Sequence, residues 1–216
     1  MSRGNFKSEN YFFDFVETEI ADLVHAALDV LVDAGAELFP ITIPASLEAT
    51  NALTSLIIST EAASIHQAWL QTKPEDYGNQ TRARMNSGLT TAATRYIQAR
   101  SLRTPLLADF AKTVFDQVDV LHCPVMNTAV PTIIETDLSA NPGFAEFIGQ
   151  MGHCTRPINY LGLPSLTVPC GFTSSGLPIG LQIGGRPLAE ETILKVAHAY
   201  EQATDWHNRK PPNSYL

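Results

Sequence analysis

Apolar residues recur at helical spacing through Ile20, Leu23, Val24, Ala27, Leu28 and Leu31, which predicts an amphipathic helix stopped near Gly35. Asp14 stands three residues before Glu17, the spacing of a capping box at a helix start. Residues 37–43 then read as a strand, and Pro40 confines it to an edge or irregular position. A helix passing directly into a strand is the half-unit of an α/β fold. Ser46 is placed to cap a second long helix running to about Leu70, with Pro74 beyond it. Residues 81–102 read as a third helix in spite of Gly88. Thr104-Pro105 opens a fourth, because proline suits the first helical position; its apolar face is Leu107, Phe110, Val114, Phe115 and Val118.

Residues 119–123 give a short strand stopped by Pro124, and 124–143 form a long loop punctuated by Asn127, Pro131 and Asn141-Pro142-Gly143. A loop of that length inside a compact domain is usually functional or disordered. The densest local signal follows in residues 159–185, NYLGLPSLTVPCGFTSSGLPIGLQIGG. Residues 165–168 and 179–183 alternate as strands, with Pro169, Gly171 and Ser174-Ser175-Gly176 turning the chain between them. The last helix spans 190–203, and Pro211-Pro212 marks a terminal arm.

Composition narrows the classes. The chain of 216 residues suits one domain or one large piece of a bigger one. A net charge of −8 gives no electrostatic case for nucleic acid or an anionic membrane. Cys123, Cys154 and Cys170 are sparse and lack C-x-x-C spacing, which fits reduced thiols. No apolar run is long enough to span a bilayer and no secretory leader opens the sequence, so a cytoplasmic location is expected. The six histidines form no i,i+3 or i,i+4 pair, and neither a metal nor another cofactor is expected.

Asn159, Gly162, Pro164, Pro169, Gly171, Gly176, Pro178 and Gly180 reproduce the N-x-x-G-x-P, P-x-G and G-x-P-x-G series of the amidase signature family, which the chain resembles. The resemblance extends to NYFFD at 10–14, GAELFPITIP at 35–44, RARMNSGLTTAATRYIQARSLR at 82–103, VDVLHCPVM at 118–126 and EETILKVAHAYE at 190–201. It implies an α/β fold, a mixed sheet covered by helices. It also implies that residues 1–216 are the C-terminal half of one domain without internal boundary. The implied reaction is hydrolysis of a carboxylic amide to an acid and ammonia or an amine.

The family's Ser–cis-Ser–Lys triad belongs to a Gly/Ser-rich signature upstream of the matched region, and no such signature occurs in this sequence. Ser175 lies in the only Gly/Ser cluster, with no lysine or histidine beside it; a serine without a base is a poor nucleophile. No residue of the chain is therefore expected to be catalytic. The expected role is structural: sheet strands and one wall of the acyl pocket, inactive alone. The alternative is a truncated, non-catalytic module, or a subunit completing a separate N-terminal half. The expected partner is a small amide, with self-association through an exposed sheet edge.

Arg84, four residues before Gly88, matches the helix that presents an arginine to substrate in the family. Its guanidinium can donate two parallel hydrogen bonds to a carboxylate or polarised carbonyl. His153, Cys154 and Thr155 fall where the family lines its pocket, and Asn159 reads as a turn-fixing residue. The resemblance also bears on substrate. Glutamine-handling members carry an acidic residue three positions before the threonine that precedes N-x-x-G-x-P, and Gly152 occupies that place here.

Overall fold

The computed structural model describes residues 10–137, 141 and 143–210, the side chains of 144–146 excepted. The expected Pro211-Pro212 arm and part of the 124–143 loop lie outside these. In chain order the elements are α1 (Thr18–Asp33), α2 (Ala49–Thr72), α3 (Asn79–Leu89), α4 (Ala93–Ser101), α5 (Arg103–Phe110), β1 (Val120–Pro124), α6 (Phe144–Met151), α7 (Thr155–Leu161), β2 (Ser165–Phe172), β3 (Pro178–Gly185) and α8 (Glu190–Gln202). They divide into two units. One holds the segment up to Ile43, Ala111–Val130 and the chain from Gly162; the other holds Pro44–Phe110 and Pro131–Leu161.

The first unit is an α/β layer. Its sheet has the order β1-β3-β2, with both pairs antiparallel. His122 stands opposite Ile183, and Val168 opposite Leu181. Helices α1 and α8 cover one face, where Val24, Leu28, Leu181, Ile183, Ile193 and Tyr200 are buried together. Each fully buried aliphatic side chain of this kind contributes roughly 1.5–3 kcal/mol. The β2–β3 hairpin is closed by Thr173, whose N–H donates to the Leu177 carbonyl at 2.8 Å. Its hydroxyl accepts the Leu177 N–H at 3.1 Å. A bulge between Pro169 and Gly171 interrupts the β2 register. Gly171 and Gly180 are packing positions: a Cβ would come within 2.6 Å of Leu23 Cδ2 and of Thr167 Cγ2, respectively.

Two local expectations fail in this unit. Asp14 does not cap α1; its carboxylate accepts the Tyr11 N–H at 2.8 Å and is spent on its own turn. The N-cap is Glu17. Residues 37–43 are not a strand. Ile41 and Ile43 are buried and Thr42 exposed, so the alternation survives, but among the described residues no strand pairs with it.

The second unit is helical, with α3, α4 and α7 packed on α2 and α5 on α7. Ser46 caps nothing: its hydroxyl donates to Asp109 at 2.6 Å, and α2 begins after a short 3-10 turn. The single helix expected over 81–102 is two. The Thr90 and Thr91 hydroxyls both donate to the Ser87 carbonyl, at 3.1 and 3.2 Å, satisfying the end of α3 with side chains. Helices α6 and α7 follow the expected loop, in a stretch for which the sequence predicts no element, and complete the unit.

Candidate functional site

Helices α2, α3, α6 and α7 border a groove of about 900 Å³ in the helical unit. Its walls include Ser59, His66, Arg84, Met85, Ile148 and Arg156. Gly88 sets how closely α3 approaches α2: a Cβ there would stand 2.0 Å from the Ser59 carbonyl oxygen. One turn before it, Arg84 is exposed to the groove, and its guanidinium makes no ion pair among the described residues.

Arg156, the second residue of α7, forms the opposite part of the lining. Its Nη2 donates to the Ile148 carbonyl at 3.2 Å, closing the end of α6. Gly152 makes room for this pose, since a Cβ would lie 2.6 Å from Arg156 Nε. His66 Nδ1 is 3.0 Å from the Tyr77 hydroxyl, which orients the imidazole. The lining holds two guanidinium groups and an imidazole, and no carboxylate among the described residues, in a chain of net charge −8. Such a lining favours negative charge or a hydrogen-bond acceptor and disfavours a cation.

Of the pocket residues expected from sequence, Arg84 lines this groove; His153, Cys154 and Thr155 do not. Cys154 is fully buried and His153 half-buried. The Thr155 hydroxyl donates to the Gly152 carbonyl at 3.4 Å, and the Thr155 carbonyl accepts Asn159 Nδ2 at 2.9 Å. Asn159 thus braces α7 internally. Gly162 adopts φ +72° just past the end of that helix, and the Pro164 carbonyl accepts the Gly185 N–H at 2.9 Å, tying the entry of β2 to the end of β3. Sequence reasoning does not single out Arg156, although a lone charge in the run TRPINYL was the available signal.

No catalytic constellation forms around the other candidates. The Ser175 hydroxyl is 2.8 Å from that of Thr173 in the hairpin turn. Lys195 is paired with Glu191 at 2.6 Å. Burial pushes the Cys170 thiol up to about 12, so it does not supply a thiolate near neutrality. Among the described residues, no group of three or more His, Cys, Asp and Glu side chains is arranged to hold a metal ion.

A family model described as Amidase matches residues 8–194. The chain belongs to the amidase family. An amidase of Pseudomonas putida is 34% identical over 204 residues, covering 94% of this chain and 43% of the relative. A glutamyl-tRNA(Gln) amidotransferase subunit of Thermosynechococcus vestitus is 32% identical over 219 residues, covering 91% of this chain and 44% of that protein. Among solved structures, a crystal structure of amidase aligns with a TM-score of 0.74 and 26% identity, over 89% of this chain and 43% of the other. The 6-aminohexanoate cyclic dimer hydrolase aligns at 0.76 with 22% identity, over 91% and 43% of the two chains, a likeness of fold. The amidase-family chain thus spans less than half the length of these relatives. Its α/β architecture, a small antiparallel sheet covered by helices, is that of amidase signature proteins.

Proposed function

We propose that both units belong to one amidase signature domain and that the chain is its C-terminal part, acting in hydrolysis of a carboxylic amide to an acid and ammonia or an amine. The observation that carries this reading is the family match over residues 8–194 in a sequence with no Ser–Ser–Lys signature. In this reading the nucleophile, relay and base come from the upstream part. This chain supplies sheet strands and the groove wall, with Arg84 holding the acyl end of the substrate and His153, Cys154 and Thr155 standing behind it. The protein works in the cytoplasm, a placement supported by three free cysteines and by the lack of a membrane-spanning helix among the described residues.

The acyl group it accepts lacks a free α-amino group. Support comes from Gly152, which offers no carboxylate at the place glutamine-handling members use. The Arg156 guanidinium lies against that position, the wrong sign for an ammonium. The alternative, a subunit completing a separate N-terminal half, is favoured by the 43–44% coverage of relatives.

The chain alone, incubated with benzamide, a short aliphatic amide and glutamine, is expected to give no turnover. Hydrolysis abolished by Ser175→Ala would overturn the assignment. With the upstream part supplied, benzamide or the aliphatic amide should be preferred to glutamine. Replacing Arg84 with Gln should then lower kcat/KM by roughly 10–100-fold, the loss of a charge-assisted hydrogen bond of about 1.5–3 kcal/mol. Preference for glutamine, or indifference to the Arg84 change, refutes the pocket reading.

A further inference from the structure

Ser55, Ser59, Ala62 and His66 recur at helical spacing, so α2 turns one face along the groove, with His66 at the C-terminal end of that stripe. The serine hydroxyls around it are already committed. Ser55 donates to the Asn51 carbonyl at 3.0 Å and Ser59 to the Leu56 carbonyl at 3.2 Å. On α3, Ser87 donates to the Arg84 carbonyl at 2.7 Å. Each of these protons serves a helix backbone oxygen and is withheld from a ligand.

His66 differs, because it is held from behind by the turn that follows α2. Its Nδ1 lies 3.0 Å from the Tyr77 hydroxyl, and the two rings meet edge to face, with centroids 5.7 Å apart at 84°. Trp69, one turn along α2, packs on the same phenol at 5.8 Å, and its Nε1–H donates to Asp76 at 2.8 Å. The Pro74 carbonyl accepts the Tyr77 N–H at 3.3 Å and Arg82 Nη1 at 3.4 Å, which pins the backbone of the turn. A phenol is the better donor of this pair and a neutral imidazole nitrogen the better acceptor, so the Tyr77 O–H donates to Nδ1. That assigns the ring proton to Nε2, which makes no hydrogen bond among the described residues.

We propose that His66 is a specificity-determining residue of the groove: its Nε2–H donates to the acceptor oxygen of an acyl ligand, a carboxylate or an amide carbonyl, and Tyr77 is the positioning residue that fixes the donor tautomer. The inference deepens the amidase reading and rests on it for the class of ligand. The guanidinium groups of Arg84 and Arg156 supply charge, and the held imidazole adds a single directed N–H on the α2 wall. An acyl oxygen meets a donor there, whereas an ammonium meets a group of the wrong polarity.

The test uses the full chain, with benzoate, benzamide and benzylammonium as probes. Long-range proton–nitrogen NMR spectra of the histidine rings, with His66 assigned by its loss in His66→Gln, should show the proton on Nε2 and a shift of that nitrogen on adding benzoate. Tyr77→Phe should keep the fold by circular dichroism, redistribute the proton between the two ring nitrogens and weaken benzoate about threefold. His66→Leu should weaken benzoate and benzamide about 5–10-fold, the loss of one hydrogen bond, while His66→Gln, whose amide N–H reaches the place of Nε2–H, should bind within about twofold of the parent. Unchanged affinity in His66→Leu, with binding lost in Arg84→Gln, overturns the role of His66 and leaves the groove reading standing. Loss in His66→Leu that Gln restores, with Arg84→Gln unaffected, supports His66 and counts against the Arg84 reading. A proton on Nδ1, equal loss in both His66 variants, benzylammonium bound as well as benzoate, or no effect of benzoate on the His66 nitrogens overturns the proposal. Hydrolysis of benzamide once the upstream part is supplied bears on the amidase reading alone.

Discussion

Substituting Gly88 by Ala sets two effects of opposite sign against each other. In an unconstrained helix interior the change favours folding by about 0.8–1.0 kcal/mol, because alanine loses less backbone entropy than glycine. Here the new Cβ would lie 2.0 Å from the Ser59 carbonyl oxygen, 2.4 Å from its carbon and 2.9 Å from Ala63 Cβ. The two closest atoms are α2 backbone, so no side-chain rotation relieves the overlap. Restoring ordinary contact requires α3 to move off α2 by about 1.2 Å, breaking tight packing along the interface. Overpacking of this kind costs about 1–3 kcal/mol, and more where backbone must shift. The expected net result is a loss of about 2 kcal/mol, or a Tm lower by roughly 4–8 °C for a chain of this size. Urea unfolding followed by circular dichroism measures it directly. A variant as stable as the parent, or stabilised by the ~1 kcal/mol of helix propensity, would show that the α2–α3 approach does not depend on Gly88.

Gly152→Ala should be milder, costing under about 1 kcal/mol, because its new Cβ meets the Arg156 side chain, which can swing aside. Arg156→Ala should cost about 1–2 kcal/mol through the lost bond to the Ile148 carbonyl, and denaturation of the two variants in parallel checks that order. Stability should also fall in acid through His122, which burial, with repulsion from His25, pushes down to about 4 from 6.5. The folded state holds that imidazole neutral while the unfolded chain takes up the proton. The contribution is therefore complete above pH 6.5 and lost as pH falls towards 4, roughly 3 kcal/mol across the window. His122→Gln should flatten this part of the pH–stability curve, and an unchanged slope would place its origin elsewhere.

Much of the α/β unit was legible in the chain. The register of Ile20, Val24, Ala27, Leu28 and Leu31 places all five in the core, and Gly35 ends the turn after α1 with φ +101°. The expected strands at 165–168 and 179–183 lie within β2 and β3, and the last helix differs by one residue. The site was only partly legible. Arg84 was reachable through resemblance, whereas Arg156 was not, and the groove is lined by Gly149 and Arg156 rather than by the three residues at 153–155.

Local periodicity and turn chemistry by themselves determined α1, the β2–β3 hairpin and α8, because each side chain there chooses its face from its own neighbours in the chain. The break between α3 and α4, the unpaired state of 37–43 and the groove itself were decided only in three dimensions. Pairing of 37–43 requires a second strand that its own residues cannot specify. The α2–α3 separation depends on the absence of one Cβ against the Ser59 carbonyl, 29 residues away in sequence. The pose of Arg156 depends on the space left at Gly152 and on a carbonyl at Ile148, which come together only when α6 and α7 have folded.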